Sequence, residues 1–234
     1  TVAGVIGKSS NVGMSKIALA LNKKDMWEML RQAGFGQFTG VQLPGEVAGL
    51  LNPYSKWVPV DQASIAFGYG ISVTPLQLAR AYLALANDGL GLPLTLQHAE
   101  AMPEGERIMS AKTARRLQSM LELAVSDAGT GRAAQVADYR VAGKTGTVRK
   151  LTPDGYSEDK YVAWFAGFAP IHSPRLVMVI TVDEPARGAY YGGEVAAPVF
   201  GHVMAGALRL LDIPPDAPRK ETRLLTVKSE RVNE

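Results

Sequence analysis

Two short polar clusters carry the side chains that could do chemistry. Ser9-Ser10-Asn11 brings two hydroxyls and an amide together near the start of the chain, and Lys144-Thr145-Gly146-Thr147 sets an ammonium beside two hydroxyls much later. A hydroxyl donates and accepts at once and so can pass a proton, an ammonium supplies fixed positive charge, and an amide can hold a peptide group through both its oxygen and its nitrogen. The bland alternative is a helix cap for Ser9 and Asn11 and a solvated strand position for Lys144.

Other chemistries fail on spacing. Ala142-Gly143-Lys144-Thr145 invites a phosphate-loop reading, but that loop needs a glycine where Asp138 stands, and a strand runs through the lysine where a helix should open. Gly34-Phe35-Gly36 is followed by Gly40, one residue too late for a dinucleotide fingerprint. His98, His172 and His202 fall in a loop, a turn and a helix without metal-ligand spacing, so no metal is expected. The chain has no cysteine and no Gly-x-Ser-x-Gly elbow, which removes thiol chemistry and a serine, histidine and aspartate triad. The two polar clusters together match the second and third motifs of serine acyltransferases that use lysine in place of histidine as base.

The elements that must position these clusters are legible as periods. Small and aliphatic residues recur at helical spacing from Val12 to Leu21, and a second helix runs from Lys23 to Ala33, ending at Gly34. Residues 34–59, rich in Gly and Pro, read as loop. Thr74-Pro75-Leu76-Gln77 combines a cap, a proline at the first helical position and a glutamine three residues after the cap, predicting a helix from Pro75 to about Asn87. Ser110 caps another, with Ala114, Leu117, Met120, Leu121, Ala124 and Val125 on one face. Three strands follow, Tyr139–Val148, Tyr161–Ala169 and Arg175–Val182, joined by links short enough to make them antiparallel. A last helix from Pro198 to Leu211 offers Val199, Val203, Leu208 and Leu211 for burial. This order predicts an α+β layer, helices packed on an antiparallel sheet, with further strands expected from sequence upstream of Thr1.

With 234 residues, 47% hydrophobic and 20% charged, the chain is expected to fold as one unit over residues 1–213, with 214–234 a poorly ordered tail. Its net charge of +3 is spread among acids with no aromatic-interleaved basic stripe, which argues against nucleic acid as a partner. The longest apolar stretches, such as Leu176 to Val182, are far too short to cross a bilayer.

The words around the two clusters carry a resemblance. Lys8 to Gly13, Phe67-Gly68-Tyr69-Gly70 through Pro75, Ala142 to Thr147, Phe165 to Pro170, Asp183-Glu184-Pro185, and Tyr191-Gly192-Gly193 through Phe200 resemble, in order, the class B penicillin-binding proteins, most of all their division-specific members in Gram-negative bacteria. The resemblance implies the penicillin-binding-protein/beta-lactamase-like transpeptidase fold, incomplete at the N-terminus. It implies a peptidoglycan D,D-transpeptidase that joins stem peptides through a serine acyl-enzyme and is stalled by beta-lactams, needs no cofactor, and works in septum formation with division-complex membrane proteins. It also implies a periplasmic domain of an inner-membrane-anchored protein, with the anchor outside this chain.

Carried over residue by residue, the resemblance makes Ser9 a proton relay and Asn11 a holder of the substrate amide. Lys144 becomes the source of positive potential, Thr145 and Thr147 the grip on the substrate carboxylate, and the Thr147 N–H half of an oxyanion hole. Gly146 leaves room for a peptide along the strand, Tyr69 walls the cleft and Arg149 touches the substrate's carboxyl end. The family's Ser-x-x-Lys nucleophile lies ahead of Ser-x-Asn. The one such pattern here, Ser157-Glu158-Asp159-Lys160, is out of order and reads as a solvated turn, so the nucleophile is expected outside this chain. Val148, where relatives often carry alanine, and the bulky Trp164 depart from the pattern and bear on the shape of the groove. Two further readings of the same fold stay open: a non-catalytic beta-lactam-sensing or division-complex binding module, and a serine beta-lactamase, for which no deacylating glutamate can be named.

Overall fold

The computed structural model describes residues 1–98, 100–101, 103–186 and 188–217. Helices α1 (Val2–Gly7), α2 (Asn11–Leu19), α3 (Lys23–Gln32), α4 (Pro59–Ile65) and α5 (Pro75–Ala86) come first. A two-residue hairpin, β1 (Leu90–Gly91) with β2 (Glu106–Arg107), leads to α6 (Ala111–Val125). The sheet follows as β3 (Ala142–Thr152), β4 (Gly155–Ala169) and β5 (Leu176–Asp183), and α7 (Gly192–Val195) and α8 (Ala197–Leu210) close the order. The fold is α+β, with the sheet antiparallel in the order β3-β4-β5. Among the described residues β5 pairs along one edge only. No described helix is long and apolar enough to cross a membrane.

Local chemistry explains the helices that the sequence predicted. Thr74 Oγ1 accepts from Gln77 N at 3.1 Å while Gln77 Oε1 accepts from Thr74 N at 2.8 Å, the reciprocal cap expected for α5. Ser110 Oγ accepts from Thr113 N at 3.1 Å and starts α6, whose Ala114, Leu121, Ala124 and Val125 are buried. The sheet is fixed by two layers of apolar side chains. Phe165 and Phe168, three apart on β4, face opposite ways, since side chains on a strand alternate. Phe165 meets Phe200 of α8 at 4.6 Å between ring centroids and joins Met204, Leu208 and Val125. Phe168 joins Ala86, Leu121 and Ala142 beneath α5 and α6.

Two expectations are corrected, and two helices appear that the periods did not show. In α8 the buried set is Ala197, Phe200, Gly201, Met204 and Leu208, while Val199, Val203 and Leu211 are exposed. The helix has two apolar stripes, and the one carrying the aromatic and methionine fills the space over β4. Strand β4 starts at Gly155, so Ser157 to Lys160 lies on a strand and not in a turn. Helix α4 follows the predicted loop, its entry set by Pro59 at the first position and by Asp61 Oδ2 accepting from Val58 N at 3.0 Å. Helix α1, capped by Thr1 Oγ1 on Gly4 N at 3.1 Å, was not legible as a period because it is only six residues long. Most of the tail, residues 218–234, lies outside the described residues.

Candidate active site

The site begins with the turn between two short helices. Ser10, not Ser9 or Asn11, caps α2, its Oγ accepting from Gly13 N at 3.1 Å. Gly13 brings α2 close to α1, since a Cβ there would stand 2.6 Å from Val5 Cγ2. Ser9 takes a φ of +54°, a left-handed conformation that serine rarely adopts. That conformation frees its side chain from the cap and turns it outward toward the sheet.

Lys144, third in β3, reaches this turn. Its Nζ donates to Ser9 Oγ at 2.9 Å, joining residues 135 apart in sequence, and to Thr145 O at 2.9 Å and Thr145 Oγ1 at 3.1 Å. Thr130 Oγ1 stands 3.4 Å from the same nitrogen. Every one of these oxygens is neutral, so no opposite charge offsets the cost of burying the ammonium, and burial lowers the Lys144 pKa from 10.5 to about 8.

The outer edge of β3 faces the same cleft. The backbone N–H of Arg149 donates to Tyr69 Oη at 3.2 Å, away from β4. Alternate residues of a regular strand send their N–H groups to the same edge, so the N–H groups of Thr147 and Thr145 face the cleft as well. Thr147 Oγ1 accepts from Gly192 N at 2.9 Å, which leaves its own proton free to donate. Residue 192 must be glycine for this approach: a Cβ there would stand 2.4 Å from Gly146 O and 2.3 Å from Trp164 O. A methyl group on Gly146 itself would press on Trp164 Cβ at 3.3 Å. The crowding at that position therefore comes from Trp164, on the face opposite Thr145 and Thr147.

Tyr69 is held edge-on against Tyr156 at 4.9 Å between centroids, and Gly70 N donates to Tyr156 Oη at 3.4 Å. The loop from Phe67 to Gly70 thus closes one end of a cleft of about 900 Å³ lined by Ser9, Asn11, Tyr69, Thr145, Gly146 and Thr147. Arg149 is exposed at the rim. All eight residues singled out from the sequence lie in or beside this cleft.

Sequence reasoning missed Thr130, Tyr191 and Gly192, which line the same space. Gly192 stood within a recognised word, but nothing local marked its amide as a donor to Thr147. Ser157 does not contribute: its Oγ donates to Asp159 Oδ1 at 2.7 Å, and Lys160 Nζ is paired with Glu184 at 3.2 Å. Among the described residues no three His, Asp or Glu side chains converge as metal ligands.

Comparison with known proteins gives the family. Residues 1–205 match the penicillin binding protein transpeptidase domain family. The chain is 42% identical over 217 residues to the peptidoglycan D,D-transpeptidase FtsI of Escherichia coli K12, covering 93% of this chain and 37% of that protein. It is also 42% identical over 217 residues to PenA of Neisseria gonorrhoeae, with the same coverage of 93% and 37%. Among solved structures, the TP domain of penicillin-binding protein 3 from Burkholderia pseudomallei superposes with a TM-score of 0.88 at 45% identity, over 93% of this chain and 66% of that one. Penicillin-binding protein 3 from Mycobacterium tuberculosis, solved with aztreonam, gives 0.83 at 37% identity, over 93% and 53%. The chain therefore spans little more than a third of the length of these two curated relatives. With the two motifs joined at one cleft and the family match running over most of its length, the chain belongs to the transpeptidase domains of the class B penicillin-binding proteins.

Proposed function

We propose that this chain supplies the proton-relay, anion-binding and oxyanion half of a peptidoglycan D,D-transpeptidase active site. The observation that carries the reading is the hydrogen bond from Lys144 Nζ to Ser9 Oγ at 2.9 Å, which ties the Ser-x-Asn turn to the Lys-Thr-Gly strand at one cleft.

A serine from a Ser-x-x-Lys segment outside this chain attacks the carbonyl before a terminal D-alanine of one stem peptide. The lysine of that segment takes the attacking serine's proton, and Ser9, whose hydroxyl accepts from Lys144 and keeps its own proton to give, relays a proton from that lysine to the leaving D-alanine amine. Asn11 holds the substrate amide. The N–H of Thr147, on the open edge of β3, pairs with that of the serine to hold the developing oxyanion, a contact worth about 3 kcal/mol in the transition state. Thr145 and Thr147 donate to the terminal carboxylate, Arg149 adds charge at the rim, Tyr69 walls the cleft, and Gly146 leaves room for Trp164 behind the strand. An amine of a second stem peptide then resolves the ester into a cross-link. A beta-lactam enters the same path and stops at the ester. The setting is septal wall synthesis by a periplasmic domain anchored in the inner membrane, in company with division-complex membrane proteins, and it is supported by the likeness to FtsI.

Intact-mass spectrometry with peptide mapping after penicillin treatment of the natural polypeptide carrying this chain tests the reading. The expected result is one adduct on a serine of a Ser-x-x-Lys segment ahead of Ser9, with cross-linking activity. An adduct on Ser9 or Ser157 would overturn the assignment of the nucleophile. No adduct at all would favour a non-catalytic binding module, and rapid release of the adduct by water a beta-lactamase.

A further inference from the structure

Thr130 lies in the link between α6 and β3, outside both motifs. Its hydroxyl is 2.7 Å from that of Thr145 and 3.4 Å from Lys144 Nζ. Backbone holds it there from two sides. Gly131 N donates to Ala124 O at 2.8 Å, and the Thr130 carbonyl packs so tightly on Gly193 that a Cβ at 193 would stand 2.4 Å away.

Proton counting then constrains the pair. Thr145 Oγ1 has two lone pairs and one proton, and Lys144, a donor only, already occupies one lone pair at 3.1 Å. If Thr130 donates to the second lone pair, the Thr145 proton is left for the cleft. If Thr145 donates to Thr130, the Thr130 proton is left instead. Either way the pair offers one O–H donor to the cleft beside an ammonium, the complement of an anionic oxygen.

We propose that Thr130 is a positioning residue which, through its hydrogen bond to Thr145, aims a hydroxyl donor at the substrate's terminal carboxylate. The inference rests on the transpeptidase reading above and deepens it. Thr130 sets the preference for a free carboxyl terminus over a neutral one, not the rate of attack at the carbonyl.

The test uses N-acetyl-D-alanyl-D-alanine and its C-terminal amide as competitors against acylation by a fluorescent penicillin, on the natural polypeptide carrying this chain. The native protein is expected to prefer the acid, and T130V to lose that preference by roughly tenfold while binding the amide as before, the usual scale for a lost hydrogen bond to a charged group. T130A, which removes the hydroxyl and the methyl together, is expected to match T130V, and T130S to stay within about twofold of the native preference because a hydroxyl remains. An undiminished preference in T130V and T130A, or a T130S as impaired as they are, would overturn the role of the hydroxyl and leave the transpeptidase reading standing. A native protein indifferent between acid and amide would sink that reading and the inference with it.

Discussion

The two sides of the cleft are built differently. Lys144, Thr145 and Thr147 sit on a strand of the sheet whose core includes Phe165, Phe168, Phe200, Met204 and Leu208, all fully buried. Ser9 and Asn11 sit on a turn between two short helices, where few large side chains are buried. The helical part is tied together by buried amides instead. Gln62 Nε2 donates to Ala18 O at 2.7 Å and Leu21 O at 3.0 Å, and Gln77 Nε2 to Gln37 O at 2.7 Å and Ala48 O at 2.8 Å. Apolar packing resists displacement in every direction, whereas a few directional bonds hold a segment only while each is satisfied. The strand is therefore the rigid reference of the site, and the Ser-x-Asn turn the side that can shift.

The sharpest way to break this contrast is in the core. Phe200→Ala is expected to cost about 3–5 kcal/mol in chemical denaturation, because the cavity opens directly against Phe165. A loss below 1 kcal/mol would mean the sheet is not the rigid half.

Next in size is Lys144→Met, which keeps the stem and removes the charge. It is expected to slow acylation by a beta-lactam on the order of a hundredfold, the scale of a lost transition-state donor. The native rate should carry a pH dependence of stated sign. Since burial brings the Lys144 pKa down to about 8, the ammonium is present below that pH and lost above it, so carboxylate binding and acylation should fall as pH rises through about 8. A flat profile between pH 7 and 9 would remove Lys144 from the anion site.

Gln77→Leu probes the amide clips, leaving the carbonyls of Gln37 and Ala48 without their donor. A loss of roughly 1–3 kcal/mol is expected, with faster amide hydrogen exchange confined to the helical part. Exchange that quickens equally in β4 would show that the two sides are one cooperative unit. The smallest effect is Ser10→Ala, which removes the cap of α2 at about 1 kcal/mol and should weaken beta-lactam acylation by loosening Ser9 and Asn11.

What was legible follows the reach of the forces involved. The Thr74 to Gln77 cap, the buried face of α6 and the order of three antiparallel strands are local or periodic, and they stood in the residues themselves. The eight candidate residues could be named because two motifs and their surrounding words resemble a known family. Thr130 and Gly192 were not, because a lone threonine in a loop and a glycine amide mean nothing until a strand lies 3 Å away.

The sequence by itself determined the longer elements, the antiparallel pairing of the three main strands and the kinds of group available for chemistry, since these depend on residue type and on spacing within a few residues. Only the tertiary structure decided that Ser10 rather than Ser9 caps α2, that α8 turns Phe200 and Met204 to the sheet, and that Lys144 meets Ser9 and Thr130 in surroundings that lower its pKa. None of those outcomes is decided by residues within a few positions of one another. Contacts between distant segments decide them, because burial and neutral oxygen neighbours exist only once the chain has closed on itself.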